Sequence, residues 1–343
     1  MKKKMIINIL VLLLFSSLVM AQSSSSTISK VGTGVAQFLK IGISARSIGM
    51  GEAFTAVAND VSSIYWNPAG LAKIHAHEVM FTHTEWLVDT QYEFAALSID
   101  LSTYGTLGLM ISSFNSGEMF VTTIDEPDGT GEKFDVADLA IGLAYARELT
   151  EKFSIGFQLK YINQRIWHMD ASTIALDVGT LFTTPFWGVK LGASISNFGS
   201  KMQLDGRDVK FAYDYDPLNE GNANIINSQY EMKFYELPLS FRIGVAKELQ
   251  LDEYQSVTFA FDAIHPNDNN EYVNVGMEYG WQDMIFLRGG YKSLFLTNSE
   301  EGFTLGGGAN FRIVGTTKLR VDYAFADFGR LENAQRFSLS IRF

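Results

Sequence analysis

Three histidines, His75, His77 and His83, share one parity at the start of an alternating segment. Two imidazoles two residues apart on one strand face can ligate a metal. No third ligand is identifiable beside them, so they read as lumen-facing or interface residues and no metal is assigned. Two acidic runs offer the oxygen ligands that Ca²⁺ prefers. One is DEPDGTGEKFD, with Asp125, Glu126, Asp128, Glu132 and Asp135; the other is DYDPLNEG, with Asp214, Asp216 and Glu220. Neither has the ligand spacing of an ordered calcium loop, and both read as solvated acidic loops. Gly306, Gly307 and Gly308 lie inside an alternating segment, where glycines mark a bend or bulge rather than a phosphate cradle. No nucleophile, base and orienting acid come with a supporting context. The expectation is a protein that is not an enzyme, with no catalytic residue, no metal and no cofactor.

The elements that carry these residues are strands. Phe153, Ile155, Phe157, Leu159 and Tyr161 alternate with Ser154, Gly156, Gln158 and Lys160. Leu319, Val321, Tyr323 and Phe325 alternate with Arg320, Asp322, Ala324 and Ala326. A period of two puts each set on one face of a strand. Across the chain one parity is apolar or aromatic. The other carries Lys160, Arg242, Arg288, Arg312, Arg320 and Asp322 among many Gly and Ala residues. Such segments recur near 76–86, 91–101, 104–114, 136–148, 153–165, 171–184, 187–199, 237–248, 255–264, 271–281, 283–292, 300–313, 316–327 and 335–343. The stretch 117–124 reads as part of a loop hairpin. The connections alternate between tight turns and longer loops, chiefly 115–135 and 200–236, which is the habit of outer-membrane barrels. Trp86 and Trp167 would close strands on the external side, and Trp187 and Trp281 would lie at periplasmic turns, as two aromatic girdles. The fold class expected is all-β: a transmembrane antiparallel up-and-down β-barrel of about fourteen strands.

The N-terminus fits export. Lys2, Lys3 and Lys4 precede an apolar run from Met5 to Met20, with small residues Val19 and Ala21 placed for cleavage. Residues 1–21 read as a cleaved signal peptide. The formal charge of the chain is −11 and becomes more negative without those three lysines, which argues against a nucleic-acid partner. There is no cysteine, hence neither a disulfide framework nor a lipid-anchored cysteine. The domain plan is a signal peptide at 1–21, a segment at 22–75 that does not alternate, and a barrel at 76–343.

The segment 22–75 is read as a lumen plug, because a barrel of this size is wider than its own inward side chains can fill. Gly49, Gly51, Ala53, Ala56 and Ala58 permit close packing and a short helix. Asn67-Pro68-Ala69 interrupts any helix and would mark where the plug leaves the interior. At the other end, Phe337, Leu339, Ile341 and Phe343 alternate with Arg336, Ser338, Ser340 and Arg342. That stretch resembles the terminal strand by which outer-membrane barrels address the barrel-assembly machinery.

With Phe38-Leu39, Ala45-Arg46, Gly49-Met50-Gly51, Ala53, Ala56, Asp60 and Trp66-Asn67-Pro68-Ala69, the chain resembles the PorV/PorQ-like family, a branch of the FadL-like outer-membrane barrels. The resemblance implies residence among outer-membrane lipids of a Gram-negative bacterium. It also implies a component of type IX-like protein secretion and surface attachment, with secreted proteins as partners. The alternative it leaves open is a FadL-type channel for hydrophobic small molecules such as long-chain fatty acids.

Overall fold

The computed structural model describes residues 30–218, 225–313 and 315–343; residues 1–21 and Glu220 lie outside them. The strands are β1 (Glu78–Glu85), β2 (Gln91–Asp100), β3 (Thr106–Phe120), β4 (Lys133–Thr150), β5 (Phe153–Ile166) and β6 (Met169–Thr183). They continue with β7 (Lys190–Gly199), β8 (Asp205–Gly206), β9 (Lys210–Asp214), β10 (Ile225–Gln229), β11 (Ser240–Gln250) and β12 (Gln255–Pro266). The last five are β13 (Tyr272–Trp281), β14 (Ile285–Leu294), β15 (Phe303–Arg312), β16 (Lys318–Asp327) and β17 (Asn333–Arg342). Setting aside β8, β9 and β10, fourteen strands pair antiparallel in chain order, and β17 pairs back onto β1. The sheet is a closed barrel. Closure pairs every strand edge, which is what lets a sheet sit in hydrocarbon without orphaned backbone groups.

The alternation drives this arrangement. Leu109, Leu143, Leu159, Ile174 and Leu305 point outward and are exposed. Their sequence neighbours Gly108, Ala144, Gln158, Ala175 and Thr304 point into the lumen. A one-residue slip would exchange the two sets, so register is strongly specified. The lower rim carries short connections such as Glu151-Lys152 and residues 282–284, together with the chain end. The upper rim carries the longer ones. There β3 and β4 extend as a hairpin beyond the barrel, pairing Glu118 to Phe120 with Lys133 to Asp135. Between β7 and β11, β9 and β10 form a separate two-stranded hairpin.

The tryptophans divide. Trp167, Trp187 and Trp281 lie at the rims, Trp187 with 85% of its surface exposed. Trp86 does not join a girdle. It continues the inward parity of Met80, Thr82 and Thr84, packs on Phe328 at 5.1 Å between ring centres, and lies under the Arg336 guanidinium. The glycine run 306–308 is also regular strand. β15 keeps its register against both β14 and β16 there, so the run marks neither bend nor bulge. Gly306 instead makes room for Gly49, and Gly308 for the side chains of Arg288 and Asp322.

The chain from Gly34 to Ile74 occupies the lumen. It contains a 3-10 turn at Gln37–Lys40, short helices at Ala45–Gly49 and Ser63–Trp66, and a further 3-10 turn at Pro68–Lys73. Ile43, Ile48, Met50, Phe54, Trp66 and Leu71 are among its fully buried side chains. This segment and the inward faces of the strands together make the hydrophobic core. Neither of its α-helices exceeds five residues, so the barrel wall sets their conformation rather than helix propensity.

Candidate functional site

The plug lies against the wall because the wall lacks side chains where it must. A Cβ at Gly276 would collide with the Met50 carbonyl, and one at Gly290 with the Gly51 amide. On the opposite side, a Cβ at Gly156 would stand 2.5 Å from the Pro68 carbonyl oxygen, and one at Gly179 would strike the Asn67 amide. Gly51 itself has φ +63 and is hemmed in by Val275 and Tyr291 backbone. Glycine is needed at these points so that plug and wall can approach this closely.

Polar groups then fix the plug in place. Asn67 donates from Nδ2 to the carbonyls of Thr55 (2.8 Å) and Thr180 (3.0 Å), and its Oδ1 accepts from the Ala69 amide (3.2 Å). It therefore ties two parts of the plug to each other and to β6. Ser194 donates to the Trp66 carbonyl and Ser154 to the Ala69 carbonyl. Asp262 on β12 accepts from the amides of Phe54 (2.9 Å) and Thr55 (2.8 Å). The Ala45 amide donates to Ser338 on β17.

The strongest anchor is ionic. Arg46 grips Glu278 with two bonds, Nε to Oε2 at 3.1 Å and Nη2 to Oε1 at 2.9 Å. Its Nη1 reaches Asn59 (2.6 Å) and Asp60 (2.8 Å) within the plug. Glu278 is shared with Arg288 on β14 at 2.6 Å, and Asp322 on β16 binds both Arg288 and Arg320 at 2.8 Å. Three guanidiniums thus face three carboxylates in a charge-balanced cluster. Arg–carboxylate forks have fixed geometry, so the cluster holds orientation as well as charge. Lys292, turned inward beside Ser293 at a bulge of β14, binds Glu52 of the plug (2.9 Å) and Glu301 (2.6 Å).

Cavities remain on both sides of the plug. Below the plug, a polar cavity of about 240 Å³ is lined by Arg46, Asn59, Thr258, Glu278 and Arg320 among others. Above it, an open cavity of about 520 Å³ has apolar walls from Val35, Phe38, Ile41, Trp86 and Phe114. Its polar lining is Gln37, Lys40, Asp138, Gln164, Lys292 and Glu301.

Of the residues singled out by sequence, Gly49 packs on Gly306 and Gly51 on β13 and β14. Asn67, Pro68 and Ala69 are buried against β5 and β6, before the chain turns toward β1. Phe337, Leu339, Ile341 and Phe343 are exposed on the outer face at the seam where β17 meets β1. Phe343 exchanges backbone hydrogen bonds with His77 at 2.9 and 3.0 Å. His83 pairs with Glu93, and Asp135 of the first acidic run pairs with Arg165. Among the described residues no group of three or more His, Cys, Asp or Glu is placed to hold a metal ion. Sequence reading did not single out Arg46 as an anchor, nor Glu278, Asp262 or Asp138. Alternation places the last three on the inward face, but it does not reveal their partners.

A family model described as an uncharacterised protein family, UPF0164, matches residues 14–132. No curated protein matches the chain. The fold is similar to that of the Pseudomonas putida toluene transporter TodX, with TM-score 0.56 and 11% identity over 88% of this chain and 97% of that one. It is also similar to the CymD monoaromatic hydrocarbon channel (TM-score 0.54, 12% identity, 88% and 97% covered). A Pseudomonas aeruginosa FadL homologue gives TM-score 0.52 and 12% identity, with 86% and 97% covered. The chain therefore has the FadL-like barrel fold.

Proposed function

We propose that this protein is an outer-membrane conduit for hydrophobic small molecules. The observation that carries the reading is the upper cavity, about 520 Å³ with aliphatic and aromatic walls, lying over a lumen closed by the chain's own plug. An aqueous pore for polar solutes would leave the lumen open and polar. A pocket that is mostly apolar, with a few polar groups, suits a small hydrophobic ligand. The solved barrels of the same fold include a toluene transporter and a monoaromatic hydrocarbon channel by their descriptions, which supports the conduit over the secretion role that the PorV/PorQ resemblance implies. Export, insertion through the terminal strand and placement in the outer membrane belong to the same reading.

The test is gene-dependent uptake of labelled toluene and of labelled oleate by cells with and without the protein. Uptake of either that requires the protein supports the conduit; uptake of neither refutes it. One observation favours the secretion reading as a second possibility. The β9–β10 hairpin stands clear of the barrel and exposes Phe211, Tyr213 and Tyr230, with Phe211 and Tyr230 stacked at 4.7 Å. Loss of surface-protein attachment on deleting 207–232, with uptake unchanged, would favour that role.

A further inference from the structure

The upper cavity contains a carboxyl group with no ion-pair partner among the described residues. Asp138 on β4 is 5% exposed and makes no ion pair among the described residues. Its Oδ2 accepts from Gln164 Nε2 at 2.9 Å, while its Oδ1 is buried with no hydrogen-bond partner among the described residues. The orientation of Gln164 is settled by its other end, because Oε1 accepts the Ala36 amide of the plug at 2.8 Å. The amide can therefore offer Asp138 only its NH₂ group.

The cations of the same cavity are already committed. Lys40 binds Asp268 at 2.9 Å, and Lys292 is held between Glu52 and Glu301. A ligand carboxylate would have to break one of these pairs and would also face Asp138. Arg336 stacks on Trp86 with 5.0 Å from guanidinium carbon to ring centre, so Trp86 supplies apolar surface here rather than a fresh cation site.

The geometry points to Asp138 as the polar anchor of a ligand site for a hydrophobic molecule that carries an amino group. The ammonium pairs with the Asp138 carboxylate, which lines the cavity, and the apolar body lies against Phe38, Ile41, Trp86 and Phe114. A charge-assisted bond to a carboxylate is about twice as strong as a neutral one, and a buried acceptor left unmade is costly. An amine thus gains most, an alcohol less, and a carboxylate least. Gln164 is the positioning residue. It joins Asp138 to the plug backbone at Ala36, so occupancy of the site bears directly on the upper end of the plug. This inference rests on the conduit reading and narrows it to a class of ligand.

The experiment is isothermal titration of the full-length protein, in a non-ionic detergent, with phenylbutylamine, phenylbutanol and phenylbutyrate. The amine should bind about ten-fold tighter than the alcohol, and the carboxylate weakest. D138N, nearly isosteric, should remove the preference for the amine over the alcohol. The ligand series on the unaltered protein needs no variant, so a misfolded D138N does not block the test. Equal affinity for amine and carboxylate, or an amine preference that survives in folded D138N, overturns the inference. If the alcohol binds and crosses into protein-containing vesicles without any amine preference, the conduit stands and this inference fails. If no probe binds or crosses, both fail.

Discussion

Replacing Arg46 by Met keeps length and removes the guanidinium that ties the plug to the wall. The side chains of Arg46, Asp60 and Glu278 are each less than one-tenth exposed. Removing one partner of a buried pair costs about 3–5 kcal/mol, chiefly because a charge is left unpaired. Here the lower end applies, about 3 kcal/mol, since Glu278 retains Arg288 at 2.6 Å and Asp60 retains the amide of Ser62 at 3.0 Å. The cluster also shifts from balance to one net negative charge. Barrel closure does not involve Arg46, so folded R46M should still show heat-modifiable migration. The loss should appear as a lower midpoint of thermal unfolding and as larger, noisier conductance in planar bilayers. E278Q should cost more, because Glu278 is shared by Arg46, Arg288 and Arg320. A double-mutant cycle with R46M and E278Q isolates the pair, and additive effects would deny the coupling. Conductance and unfolding of R46M indistinguishable from the parent protein would refute the claim that this cluster holds the plug.

Gly276→Ala places a methyl group against the Met50 carbonyl; overpacking of this kind costs about 1–3 kcal/mol. It should raise the protease sensitivity of the plug while leaving barrel migration intact. Leu143→Arg puts a cation on the lipid face in mid-strand, for an expected cost of about 2–4 kcal/mol in refolding titrations into lipid vesicles. Thr258→Arg points into the polar lower cavity and should cost less than Leu143→Arg; equal costs would contradict the assigned faces. Phe343→Asp disturbs the seam where β17 meets β1, and membrane fractionation should show reduced folded barrel; normal levels would remove the role assigned to the terminal strand.

Much of the barrel was legible because its signal is local. Period-two alternation is written into each segment, and all fourteen barrel strands fall near the expected ranges. Alternation also contained what the girdle reading missed at Trp86, whose parity matches the buried Thr82 and Thr84. The lumen was less legible. Arg46 and Glu278 lie 232 residues apart, and nothing local in either stretch announces the pair. The rich supply of inward Gly and Ala left open a narrow channel or a tightly packed plug. Only the three-dimensional register shows that Gly156, Gly276 and Gly290 meet plug backbone and that Gly179 meets the Asn67 and Pro68 side chains. A filled lumen also changes the cost of mutation. Ser240 is buried, so an inward substitution there is not cheap, as it would be in a water-filled barrel.

The anchoring of the plug is uneven along its length. From Ala45 to Ala69 it is held by the Arg46 cluster, Asp262, Asn67 and the glycine contacts, all buried. From Gly34 to Ile41 it is held by fewer bonds: the Val35 amide to the Glu236 carbonyl, Ala36 to Gln164, and Lys40 and Gln37 to Asp268. Local opening follows the weakest set of contacts, so the upper segment yields before the lower one. That upper segment lines the 520 Å³ cavity. A molecule arriving from the loop side therefore meets first the part of the plug that moves at least cost. The balanced cluster below keeps the rest of the lumen closed while it does so. On the proposed conduit reading, passage requires rearranging only a short stretch around Ala36; expelling the whole plug would break the Arg46 cluster and the Lys292–Glu52 pair together.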